Sequence, residues 1–187
     1  MNSRTESNIP FVGLHAHSVA GSPFDALGYP PEHMEFAYDN GMDALALTDH
    51  GNMNGLAWQV LHAKKMKKAG KEFKPIFGCE AYFIPSVAKW KEEYEEIKNA
   101  AKKKSDYEAD NSGTTVEDEG ASKKKIKSVL NRRRHLILLA MNQTGLQNIF
   151  KMISRSYSGD NFYRYPRVDY ALLKKHNEGV IAASACL

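Results

Sequence analysis

Three short apolar runs, separated by helix-like stretches, constrain this chain most, because each leads directly into side chains that bind metals. Phe11-Val12-Gly13-Leu14 leads into His15-Ala16-His17, Asp43–Thr48 into Asp49-His50, and Lys74–Phe77 into Gly78-Cys79-Glu80. Residues two apart on an extended segment point the same way, so His15 and His17 reach toward one ion. Alone, His-x-His says little. Three run ends carrying such residues, with His135 and Cys186 beside later apolar runs, favour one shared metal centre assembled from several loops.

The stretches between the runs set the architecture. Pro30-Pro31 opens a helix predicted through Asn40, where Gly41 stops it. A second helix is predicted from Asn54 to Ala69, with Leu56, Val60, Ala63 and Met66 as its apolar face and Gly70 closing it. Phe11–Leu14 reads as a buried strand, and Lys74–Phe77 as a third strand followed by Ala81–Ile84. This order predicts an α/β fold with a parallel sheet or barrel, whose ligands gather at the carboxyl ends of the strands.

Residues 88–134 break the pattern. They hold 13 of the 26 basic residues, and Asp106–Gly120 carries six acids and no bases. We expect a charged insertion that contributes little core: a helix over 89–104, a loop of disordered composition over 107–122, and a basic, partly helical stretch over 123–134. The core then resumes with the strand His135–Ala140 and a helix from Thr144 to Ser156, striped by Leu146, Ile149, Phe150 and Ile153. An aromatic loop Asn161–Pro166, a short helix Ala171–His176 and a strand Val180–Ala183 follow. One domain over 1–187 is expected, with its core in 9–87 and 135–187.

Bulk properties exclude some classes. A hydrophobic content of 42% argues against global disorder, and no run approaches the length of a membrane span. Met1–Ser7 is polar and lacks the apolar segment of a secretory signal, so a cytoplasmic protein is expected, with Cys79 and Cys186 not joined in a disulfide. The net charge of +4 permits contact with nucleic acid without demanding it.

His15-Ala-His17-Ser, Leu47-Thr-Asp49-His50-Gly51-Asn52-Met53 and Gly78-Cys-Glu80-Ala-Tyr82 together resemble the polymerase and histidinol phosphatase (PHP) superfamily. His135-Leu-Ile-Leu-Leu-Ala-Met-Asn142, Phe162-Tyr-Arg-Tyr-Pro166-Arg167-Val-Asp169 and Ala183-Ser-Ala-Cys186-Leu187 resemble the N-terminal PHP domain of bacterial replicative DNA polymerase III alpha subunits. The resemblance implies a distorted (β/α)7 barrel with up to three divalent metal ions at its mouth. It implies His15, His17, Asp25, His50, Glu80, His135 and Cys186 as ligands, with Glu80 bridging ions and Glu80, His15 and His50 catalytic. Asp49 is expected to orient a ligand or cap the next helix. The family closes its site with a later Asp-x-His pair, which this chain does not reach, so a barrel incomplete at its C-terminal end is expected.

A nitrogen, oxygen and thiolate donor set suits zinc best, with manganese or iron as alternatives. The function expected from the resemblance is metal-dependent phosphoester hydrolysis, as 3′ exonuclease proofreading of DNA beside other polymerase domains and replisome subunits. A scaffold domain binding a partner such as a separate exonuclease, and a free-standing small-molecule phosphatase, are the alternatives. Tyr163, Arg164, Tyr165 and Arg167 are candidates for nucleic-acid contact or for packing over the barrel rim. Cys79 is expected in the core, and His33, His62 and His176 on solvated helix faces.

Overall fold

The computed structural model describes residues 11–112 and 132–185, with the backbone alone for 101 and 104–112. Helix α1 (Pro30–Asp39) opens on Pro30-Pro31, whose fixed φ suits a first turn, and the Glu32 carboxylate accepts from the Tyr29 N–H at 2.7 Å. Strand β1 (Ala44–Leu47), helix α2 (Leu56–Lys68) and the ten-residue strand β2 (Lys74–Phe83) come next. Helix α3 (Val87–Ser112), strand β3 (Arg134–Ala140) and helix α4 (Gln143–Ser156) follow. A hairpin of β4 (Phe162–Tyr163) and β5 (Tyr165–Val168), helix α5 (Tyr170–Lys175) and strand β6 (Val180–Ser184) complete the described elements.

The α/β class holds, and the six strands form one open, barrel-like sheet in the order β4-β5-β2-β3-β6, with β1 also on β2. Its pairing corrects the parallel expectation. β2 runs parallel to β1 and β5, but β3 is antiparallel to both β2 and β6. β2 is also one continuous strand, so Glu80 sits in its paired second half rather than at a strand end. Gly78 marks the handover between partners: a Cβ there would lie 2.6 Å from the Leu138 carbonyl and 2.9 Å from Thr48 Cγ2. Only glycine lets the strands approach this closely.

Period-2 alternation divides β2 between two environments. Cys79 and Ala81 point into a core with Leu138, Ile149, Met152 and Val168, as expected for Cys79, while Glu80 and Tyr82 face the other side. α4 covers that core, its Asn142 cap accepting from the Gly145 N–H at 2.9 Å. Met152 is buried there, whereas Phe150, expected in the stripe, is exposed. Packing against β2, β3 and β5 turns the helix slightly from the face that hydropathy alone selects.

Three further expectations change. Phe11–Leu14 is neither buried nor a strand: Phe11 is 62% exposed, and the segment meets β1 through a single bridge from Gly13 to Leu45. The charged helix begins at Val87 and contributes core, because Trp90 packs with Ile84 and Val87. The aromatic stretch 161–166 is a hairpin whose tip, Arg164, has φ 63°. Residues 113–131 of the predicted insertion lie outside the described residues.

Candidate metal centre

Glu80, 1% exposed, is the hub. Its Oε2 lies 2.6 Å from His15 Nε2 and 2.6 Å from His17 Nε2, while its Oε1 meets His135 Nδ1. His50 Nδ1 stands 3.6 Å from Glu80 Oε2, and His50 Nε2 lies 2.7 Å from Asp25 Oδ2. Asp25 is also 3.6 Å from His17 Nδ1. Six of the seven sequence-derived ligand positions thus converge; Cys186 lies outside the described residues.

The donors form three overlapping groups, each with ligand atoms within 4.8 Å of one another: His15/His17/Glu80, His17/Asp25/His50 and His50/Glu80/His135. His50 Nδ1 is buried with no hydrogen-bond partner, an orphan that a metal ion would satisfy. Imidazole nitrogens with carboxylates are the donor set of zinc, manganese or iron sites. The residues present therefore fit a divalent metal.

The antiparallel β3 explains His135. Standing at the start of an apolar run, it belongs at the wrong end of a parallel strand. Because β3 runs against β2, its start lies level with the end of β2, and Tyr82 pairs with His135. Tyr82 then stacks on His50 (5.8 Å, 12°) and packs edge-on against His135 (5.3 Å). Sequence reasoning missed this wedge, although the spacing Glu80-x-Tyr82 already puts both on one face.

Asp49 does not cap the next helix; it positions ligands by holding the loop that carries them rather than by bonding an imidazole ring. Its carboxylate accepts from the Ser18 N–H at 2.6 Å, Ser18 Oγ at 2.8 Å and Ser22 Oγ at 3.0 Å. Ser22 Oγ accepts in turn from the His50 N–H at 3.0 Å. Asp49 therefore ties the loop carrying His17 and Asp25 to the end of β1, while α2 begins later, at Leu56. Ser18 and Ser22 were not singled out in the sequence; their place just after His15-Ala-His17 was the available signal.

Of the nucleic-acid candidates, two are corrected. Arg167 is 0% exposed; its Nε donates to the Asn161 carbonyl at 2.9 Å, its Nη2 donates to the Asp160 carbonyl at 2.5 Å, and its guanidinium lies 3.8 Å from the Trp90 ring centroid. Burial brings its pKa down to about 10. Tyr163 packs on Trp90 and Tyr94 at 4.8 and 5.5 Å. Both hold the rim together. Arg164 instead lines an open cleft beside the centre, of about 690 Å³, with Asp25, His50, Tyr82, Arg133 and Tyr165.

The helix histidines stay outside the centre. His62 is not solvated as expected but 11% exposed, bonded to Glu35 at 2.9 Å, which also takes Lys71 at 2.5 Å. His33 and His176 are half-buried.

The cluster's electrostatics predict a pH response. Burial pushes Glu80 up, but hydrogen bonds from His17 and His15 and the charge of His50 reverse this and hold it down at about 2. The Glu80 hydrogen bond raises His17 despite its burial. Glu80 thus stabilises the metal-free fold above its ordinary 4.5 and loses this as pH falls toward 2; His17 stabilises it below 6.5 and loses this as pH rises through its elevated value. Metal-free chain should melt highest between these two limits and fall toward pH 8, each unit of His17 elevation being worth about 1.4 kcal/mol. Zinc should reverse the trend, because ligands bind it unprotonated. Melting curves across pH with chelator or zinc test this; a metal-free Tm climbing steadily to pH 8 would contradict it.

A family model, "PHP domain", matches residues 13–187. DNA polymerase III subunit alpha of Treponema pallidum is 34% identical over 181 residues, covering 97% of this chain and 12% of that protein. The Helicobacter pylori protein of the same name is 35% identical over 182 residues (97% and 12%), and that of Aquifex aeolicus 33% over 177 (95% and 12%). The chain thus spans about 12% of the length of these relatives. Two solved structures, one described as a metal-dependent phosphoesterase from Bifidobacterium adolescentis and one an amidohydrolase from Chromobacterium violaceum, align at TM-scores of 0.42 and 0.39. They are 12% and 16% identical, covering 81% and 75% of this chain and 34% and 32% of theirs. Likeness this loose decides nothing about chemistry.

Proposed function

Because this chain belongs to the PHP domain family, we propose that its histidine–carboxylate cluster is a divalent-metal phosphoesterase centre acting on DNA. Within a longer replicative polymerase, it removes nucleotides from a 3′ end. The observation that carries this reading is the hub geometry: one buried carboxylate shared by four imidazoles from three other segments of the chain.

A carboxylate with an oxygen on each side can link neighbouring ions, as imidazole cannot. A divalent metal held by these residues would supply an activated water at neutral pH and positive charge for the oxygens of a phosphodiester. The protein's part is to fix the donors. β2 and β3 position Glu80 and His135, Asp49 anchors the loop of His17 and Asp25, and Tyr82 orients the His50 ring. Zinc is the leading candidate metal, with manganese and iron behind it, and up to three ions match the three donor groups. The relatives' name supports a setting among polymerase domains and other replication subunits.

A partner-binding scaffold is the second reading, favoured by an exposed apolar groove of Tyr29, Pro31, Trp58 and Leu61 on the outer side of α1 and α2. Elemental analysis of the purified chain, followed by assays with a 3′-labelled oligonucleotide and a small phosphate monoester, separates the readings. We expect bound metal, and nucleotide release that chelator abolishes. Metal with monoester preference would instead indicate a small-molecule phosphatase, and no metal would leave the scaffold.

A further inference from the structure

Arg133 immediately precedes β3, and by alternation it shares the face of His135 that looks into the cleft. Its guanidinium lies 3.6 Å from the Tyr165 ring centroid and 5.8 Å from that of Tyr82. Tyr165 packs on Tyr82 at 5.1 Å, and Tyr82 stacks on His50. A continuous stack therefore runs from the metal centre to the cleft mouth and ends in a cation. Among the described residues, no carboxylate pairs with Arg133. The one acidic side chain lining the cleft, Asp25, is bonded to His50.

The hairpin tip adds a second cation. Arg164, exposed and lining the same cleft, has φ 63°, a left-handed conformation that non-glycine residues adopt at a cost of about 1–2 kcal/mol. Phe24 and Phe162 offer further aromatic surface.

From this arrangement we infer that Arg133, seated on Tyr165, is a backbone-phosphate contact that makes the centre select single-stranded DNA over small phosphate esters, with Arg164 as a second contact. The inference rests on the proposed phosphoesterase reading. A planar guanidinium grips phosphate oxygens in pairs, and aromatic faces stack unpaired bases. A small monophosphate ester has no phosphate beyond the scissile one to reach cations outside the donor cluster. Two cations at the mouth, outside the donor cluster, suit a substrate with phosphates upstream of the scissile one.

The test is fluorescence anisotropy of a labelled single-stranded oligodeoxynucleotide over a salt series, with chelator present so that the probe stays intact. Arg133→Gln should weaken binding about ten-fold and reduce the slope of log K against log salt by about 0.7, the value for one lost single-strand phosphate contact. Arg133→Lys should restore the slope but not the full affinity, because lysine loses the planar stacking. A merely structural Arg133 would not move the slope. An unchanged slope in a folded Arg133→Gln protein, or no oligonucleotide binding by the wild type, would overturn the inference. Metal content and hydrolysis, measured separately, decide the underlying reading, so the two can fail independently.

Discussion

Replacing Glu80 by glutamine will strip the chain of its metal and, with it, any phosphoester hydrolysis. The substitution keeps the shape of a 1%-exposed side chain but removes the charge that four imidazoles face. Glutamine offers one oxygen where the carboxylate offers two, and its amide nitrogen would meet an imidazole nitrogen. Loss of outer-shell partners alone costs about 10–100-fold in metal affinity, so removal of the shared ligand should exceed that range. Elemental analysis beside the wild type reads the first effect, and 3′-end release the second. Far-UV circular dichroism should stay native, separating loss of metal from loss of fold. Wild-type metal content in Glu80→Gln would remove Glu80 from the centre.

The second large effect lies away from the chemistry. Arg167→Leu should destabilise the chain by about 3 kcal/mol, since hydrogen bonds from a charged donor are worth about 1.5–3 kcal/mol each and two backbone carbonyls lose theirs. The contact with the Trp90 ring is lost as well. For a chain of this size that is a fall in Tm of about 6–12 °C. Arg164→Leu, three residues earlier on the exposed hairpin tip, should stay within about 0.5 kcal/mol of wild type. Parallel thermal melts of the two variants test the contrast; equal Tm values would mean that Arg167 is not the rim's fastening.

Those two arginines show where sequence reading ran out. In Arg164-Tyr165-Pro166-Arg167 nothing local tells a solvated guanidinium from a buried one. The difference comes from Trp90, more than seventy residues away on a helix that looked like a dispensable insertion. By contrast, α1, β1, α2 and α4 were legible because proline starts, glycine stops and apolar periodicity are local signals. The cluster of His15, His17, His50 and Glu80 was legible from ligand-type residues following apolar runs. His135 was not, because strand direction is decided by tertiary pairing and no residue in His135–Ala140 announces it. Asp49 was legible as a supporting residue, but not its partners, since Ser18 and Ser22 are ordinary loop residues until the loop folds back.

The centre is built half on framework and half on a strap. Glu80 and His135 belong to adjacent strands, and β2 carries partners along both of its edges. His15, His17 and Asp25 ride on a segment whose attachment to the sheet rests largely on two backbone bonds, Ala46 N–H to the Gly13 carbonyl and Thr48 N–H to the Ala16 carbonyl, and on the Asp49–serine knot. Local opening is easiest where paired backbone is sparsest. For an ion held at this centre, lifting of this strap is the expected route of entry and exit, with the half-site on the sheet left in place. Residence time of such an ion should then follow the Asp49 knot, separably from the stability of the fold.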